Sequence, residues 1–202
     1  MDGLHSARVV LYSVNFHEIE RLQRAGDWDS AGAILAEAAR SLEAAGAAFL
    51  VLCTNTMHKV ASHIEAAVNI PLLHIADPTA AEIKRAGYST VGLLGTRFTM
   101  EQAFYRDRLC EHHGLRVVVP ETEDREVVHR IIYEELCRGI VKPESRSEYR
   151  RVMKNLATQG VQAIILGCTE ISLLVDQQDS EVPLFDTTAI HARMAAEESL
   201  RP

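Results

Sequence analysis

An α/β protein built on parallel strands is the fold class this sequence predicts, and three observations carry it. Apolar, β-rich runs recur along the chain, stretches of helical period lie between most of them, and one helix-stop-strand pattern occurs three times. Strands that are apolar on both faces and alternate with helices belong to sheets covered by helices on either side.

Taken in order, the runs expected as strands are 7–14 (ARVVLYSV), 49–53 (FLVLC), 71–75 (PLLHI), 90–95 (TVGLLG), 116–120 (RVVVP), 163–168 (AIILGC) and 183–186 (PLFD). Between them, residues 30–45 form an Ala-rich helix that closes at Gly46. Thr79 and Glu82 have capping-box spacing and are expected to open the helix that ends at Gly87. Thr99 and Gln102 repeat that spacing ahead of the helix 100–113, where His112 and His113 suit the negative helix end before Gly114. Residues 124–138 place Val127, Val128, Ile131, Ile132 and Leu136 on one face and stop at Gly139, and the acidic cluster 121–126 reads as the start of that helix.

The repeat is seen when 42–54 (LEAAGAAFLVLCT), 83–96 (IKRAGYSTVGLLGT) and 156–169 (LATQGVQAIILGCT) are superimposed. Each is a helix end, a glycine stop, a buried strand, then a small residue or cysteine followed by threonine. In a doubly wound sheet that last position is the carboxyl end of a strand, where ligands bind beside the next helix N-terminus. Cys53 and Cys168 both stand there. The residues after each can offer backbone N–H groups and a positive helix end, an arrangement that binds a carboxylate and lowers a thiol pKa. Asn55, Thr56 and Thr169 add short hydrogen-bonding groups, and Glu170 an acceptor for an ammonium. Cys110 and Cys137, on helical stretches, read as packing thiols.

Composition narrows the functional class. The chain has 202 residues, 47% of them hydrophobic, with 28 acidic against 21 basic side chains, which leaves no cationic footprint for nucleic acid or an anionic membrane. The longest apolar run, residues 44–53, is about half a membrane span. MDGLHSARVV lacks the features of a secretory signal, so a cytoplasmic location with reduced thiols is expected. No CxxC or paired Cys/His spacing points to zinc; His58 and His63 read as solvated or capping histidines.

In those residues the sequence resembles the cofactor-independent aspartate/glutamate racemases of the Asp/Glu/hydantoin racemase superfamily. CTNTMHK (53–59) looks like that family's first catalytic signature and GCTE (167–170) like its second; LLGTRFTMEQAFYRDRL (93–109) and PLFDTTAIHA (183–192) also fit. SVNFHEIE (13–20) with Gln23 is similar to its bacterial broad-specificity amino-acid racemases. The resemblance implies two similar doubly wound lobes with the active site between them, residues 1–77 plus 187–202 and residues 78–186, in a homodimer. It implies racemisation of aspartate or glutamate without cofactor or metal, Cys53 and Cys168 acting as the acid/base pair on opposite faces of the α-carbon. Asn55, Thr56, Thr96 and Thr169 would hold the carboxylates, Glu170 would lie near the amine, and Gln23 at the side-chain end.

Two departures are noted. The family's opening strand and IGxxGG turn have no counterpart in MDGLHSARVV, so 7–14 and 49–53 are expected to pair directly or to leave a gap. By the same resemblance, Cys137 aligns where some strict aspartate racemases carry a lysine, which would leave Arg138 or Arg97 to meet a distal carboxylate and widen the substrate range. Three alternatives stay open: a superfamily relative such as a maleate isomerase, arylmalonate decarboxylase or hydantoin racemase, a non-catalytic binder of an acidic ligand, and thiol redox chemistry.

Overall fold

The computed structural model describes residues 6–201, so the first five residues of MDGLHSARVV lie outside it. Two compact units divide the chain. The larger contains Cys53–Thr56 and Ile75–Ala192, the smaller the residues up to Leu52, Met57–His74 and the residues from Arg193 onward.

The larger unit is an all-parallel sheet of four strands, β3 (Thr90–Gly95), β4 (Arg116–Val118), β5 (Ala163–Gly167) and β6 (Leu184–Asp186), in the order β4-β3-β5-β6. Alternation along its strands explains why both faces are covered. Val91, Leu93, Ala163 and Ile165 pack with Ile75, Ala80 and Ile83 of and beside α4 (Ala76–Arg85), while Leu94, Ile164 and Leu166 pack with α7 (Thr122–Glu134) and α8 (Pro143–Thr158). The remaining helices are α5 (Arg97–Glu101), α6 (Ala103–Asp107), which runs into a π-helical turn Arg108–His112, and the start of α9 (Thr187–Ser199).

In the smaller unit, β1 (Leu50–Val51) and β2 (Leu72–Leu73) pair in parallel, with α1 (Phe16–Ala25), α2 (Trp28–Ala44) and α3 (Ala61–Glu65). Ile19, Leu35, Leu50, Met57 and Ile64 form its core. Among the described residues no helix is long and apolar enough to cross a membrane.

Six of the seven expected strands form, 90–95 with the expected bounds and the other five with shorter ones. The run 7–14 does not: it has no regular structure, β1 pairs with β2 alone, and Val9 and Leu11 are 80% and 81% exposed. β-propensity without a ladder partner is not enough to make a strand. The three glycine stops of the repeat all hold, since Gly46, Gly87 and Gly160 take positive φ of 88°, 84° and 84° after their helices.

Both expected capping boxes fail. Thr79 lies inside α4, its hydroxyl donating to the Ile75 carbonyl, so the helix begins before it. In the other segment Thr96, not Thr99, is the N-cap, accepting from the Thr99 N–H at 3.3 Å. The helix breaks at Gln102, which makes no side-chain cap bond. His113 meets a carboxylate rather than a helix end: its Nε2 lies 2.9 Å from Asp77 Oδ1, and Arg108 donates to both oxygens of the same group at 2.7 Å. α1 and α9 have no counterpart among the expected helices, and of α8 only the end before Gly160 is expected, from the repeat.

Candidate active site

The carboxyl ends of β3, β5 and β6 lie side by side, because these three strands are neighbours in the sheet. Thr96 follows β3, Cys168 follows β5 and Thr187 follows β6. Glycine makes the approach of β3 to β5 possible. A Cβ on Gly95 would sit 2.8 Å from the Gly167 carbonyl oxygen, and one on Gly167 would sit 2.9 Å from the Leu94 carbonyl oxygen.

Cys53, Asn55 and Thr56 belong to the same unit as these strand ends, with Cys53 exposed and Asn55 and Thr56 buried. The Asn55 amide donates from Nδ2 to Thr187 Oγ1 at 3.0 Å, and Thr187 donates in turn to the Leu166 carbonyl at 2.8 Å. That relay ties the residue two after Cys53 to the residue two before Cys168. The Oδ1 atom of Asn55 is buried and has no hydrogen-bond partner among the described residues.

Thr56 hydroxyl contacts Thr96 at 3.0 Å and Thr99 at 3.3 Å, and Thr96 and Thr99 are themselves 3.3 Å apart. Three hydroxyls therefore converge at the end of β3. Thr99 and Thr187 are partners that sequence reasoning missed. The capping spacing of the first and the PLFDTT segment of the second were visible, but nothing local showed what they would touch.

At the second corner the Cys168 thiol donates to Glu170 Oε2 at 3.0 Å, and the Thr169 hydroxyl donates to the same oxygen at 2.6 Å. Burial pushes the Cys168 thiol well above its ordinary pKa, and the Glu170 carboxylate pushes it further in the same direction. The expectation of a lowered thiol pKa is therefore corrected for Cys168. The element after it is a three-residue 3₁₀ turn, Ile171–Leu173, too short to set a helix dipole against these two effects. A 3₁₀ turn, Thr56–Val60, also follows Cys53.

Cys137, read as a packing thiol, sits on the 3₁₀ turn Leu136–Arg138 within electrostatic reach of this corner. Cys137 is exposed rather than packed, and partial desolvation by its surroundings, then the Glu170 charge, raise its pKa to about 11. Arg138 is exposed, and the Arg97 guanidinium lies 5.0 Å from the Phe98 ring. Gln23 is buried in the smaller unit, donating to Met57 Sδ at 2.9 Å. His58 is buried with its ring 4.2 Å from that of His74, and His63 Nε2 is 3.4 Å from Asp29, so the expectation of solvated or capping histidines is replaced for His58 by a buried ring contact.

Comparison with known proteins gives a consistent family. The Asp/Glu/hydantoin racemase profile matches residues 1–195. The broad specificity amino-acid racemase RacX of Bacillus subtilis is 27% identical over 174 residues, covering 83% of this chain and 71% of RacX. A candidate Asp/Glu racemase from Yersinia pestis superposes with a TM-score of 0.91 at 63% identity, over 98% of this chain and 86% of the other. An aspartate racemase homologue from Pyrococcus horikoshii OT3 gives a TM-score of 0.81 at 39% identity, over 95% of this chain and 83% of the other.

Proposed function

The chain belongs to the Asp/Glu/hydantoin racemase family, and from that premise we propose that it is an isomerase interconverting L- and D-aspartate or glutamate by proton transfer between two cysteines. The observation that carries the reading is the relay Asn55–Thr187–Leu166, which links the Cys53 corner to the strand that delivers Cys168. Two thiols at linked corners are what a two-face proton exchange needs.

In this reading Cys53, as thiolate, removes the α-proton, while the Cys168 S–H delivers its proton to the opposite face. Cys53 ends as thiol and Cys168 as thiolate, and the reverse step acts on the other enantiomer, so protons and charge balance. Cys168 is suited to begin as the acid, since burial and Glu170 keep its proton on sulphur. Asn55, Thr56, Thr96 and Thr169 hold the substrate, the hydroxyls of Thr56 and Thr96 donating to its carboxylates as negative charge develops, and Thr169, whose hydroxyl proton goes to Glu170, through its backbone N–H. Glu170 keeps the amine near through its second oxygen, Oε2 being already engaged by Cys168 and Thr169. The chemistry draws on no cofactor. The protein acts in the cytoplasm as a homodimer in this proposal.

The test is proton NMR of L-aspartate and L-glutamate incubated with the protein in deuterium oxide. The α-proton signal of one or both is expected to vanish, and Cys53→Ala and Cys168→Ala are each expected to reduce net racemisation by about 10³-fold or more, one positioned acid or base contributing about 10²–10⁴. Absence of exchange with both amino acids in the folded protein would overturn the proposal.

A further inference from the structure

Asn55 has a polarity that its neighbours dictate. Thr187 has one hydroxyl proton, and it goes to the Leu166 carbonyl at 2.8 Å. Thr187 Oγ1 can therefore only accept from Asn55, which makes the atom 3.0 Å away the Nδ2 donor and turns the amide oxygen the other way. That oxygen is buried with no partner among the described residues, on a residue only 2% exposed. A second buried orphan, Thr188 Oγ1, belongs to the residue after Thr187. Native interiors seldom leave such atoms unpaired, and where they do a functional role, an ordered water or an ion is the usual account.

An orphaned acceptor cannot bind a carboxylate, because neither group carries a proton to share. It binds an N–H or O–H donor. Of the charged groups on an α-amino acid at neutral pH, only the ammonium donates. Resting on the amino-acid racemase reading above, we propose that Asn55 reads the substrate's ammonium group, and that Thr187 is the positioning residue that fixes the amide for that task. Asn55 thus joins Glu170 on the amine, and the carboxylates are left to the hydroxyls of Thr56 and Thr96 and the backbone N–H of Thr169. The arrangement makes the site selective for 2-amino dicarboxylates over dicarboxylates of the same length without the amine, since a ligand lacking the donor leaves Oδ1 unpaired.

Calorimetric titration with racemic aspartate and with succinate, which is aspartate without its amine, separates the two assignments; glutamate and glutarate replace them if exchange selects glutamate. Thr187→Val removes the acceptor that orients the amide and is expected to weaken aspartate about tenfold or more while changing succinate less than about twofold. Thr187→Ser, which keeps the hydroxyl, is expected to restore wild-type discrimination. Asn55→Leu carries the same expectation as Thr187→Val and serves if the latter does not fold. Equal weakening of both ligands would mean that Asn55 reads a carboxylate, and no weakening of either would mean that the orphan oxygen is satisfied by buried water; both overturn the inference while leaving the racemase reading standing. If the folded wild type binds neither ligand and exchanges no α-proton, both fall.

Discussion

The chemistry of the second corner turns on one hydrogen bond, Cys168 Sγ–H to Glu170 Oε2 at 3.0 Å. Burial is the main cause of the raised thiol pKa and the carboxylate charge the next. Removing that charge while keeping the shape, by Glu170→Gln, should therefore lower the thiol pKa, because the thiolate no longer forms beside a negative group. It should not restore the ordinary value of about 8.5, since burial remains. Measured as the pH profile of iodoacetamide alkylation at the Cys168 peptide, the midpoint is expected to move down in Glu170→Gln and to stay above that value. An unchanged midpoint would show that the carboxylate does not govern this sulphur. The two cysteines were legible in the sequence because a repeated βα unit and a motif marked the same positions. The Asn55–Thr187 bond was not, since it joins residues 132 apart and no local pattern encodes such a partner.

At the level of elements, periodicity carried most of the fold and failed where tertiary partners decide. The strands of the larger sheet were legible because both of their faces are apolar, and the three repeat glycines because a left-handed helix stop has few other occupants. The run 7–14 has the right residues but no neighbour to pair with, and α8 carries its buried positions, Tyr149, Val152, Met153 and Leu156, among so many charges that the face is easily overlooked. The approach of β3 and β5 at the candidate site gives this scale its prediction. In Gly167→Ala the new methyl would lie 2.9 Å from both Leu93 Cδ1 and the Leu94 carbonyl oxygen, and backbone cannot yield cheaply there. A cost of about 1–3 kcal/mol is expected, a fall in Tm of roughly 2–12 °C. Because the shift falls on the residue before Cys168, α-proton exchange should drop further than the loss of folded protein accounts for. A variant of wild-type Tm would mean that the strands have room to part.

At the largest scale, the electrostatics of the larger unit gather on one helix. Asp124 accepts from Arg151 at 2.6 Å and from Asn155 at 3.2 Å, and Glu135 accepts from Ser145 at 2.5 Å with Lys142 at 3.3 Å. Asp179 faces Arg150 and, at 3.7 Å, Arg146. All three carboxylates thus fasten α8 or its first residues, and α8 covers the sheet face on which Cys168 packs. Their pKa values are all held below the ordinary carboxylate range. For Glu135 the Ser145 hydrogen bond is the main cause; for Asp124 and Asp179 burial acts in the opposite direction but is outweighed, by Arg151 and Asn155 in one case and by the Asp176 N–H, Arg150 and Arg146 in the other. A group whose folded pKa is depressed contributes stability that is present above its unfolded pKa, about 4 here, and lost as pH falls through the folded value. Urea midpoints should therefore be level from pH 7 to about 5 and decline steeply below about 4, with the part owed to the exposed arginines weakening in added salt. Asp179→Asn places the test on one residue. It should lower the midpoint at pH 7, where the carboxylate is charged, and the gap from the wild type should narrow as pH falls below the unfolded pKa of about 4 and toward the depressed folded one. A constant offset between the two proteins across that range would mean that Asp179 acts through shape and hydrogen bonding alone, and that its charge does not hold α8 against the sheet.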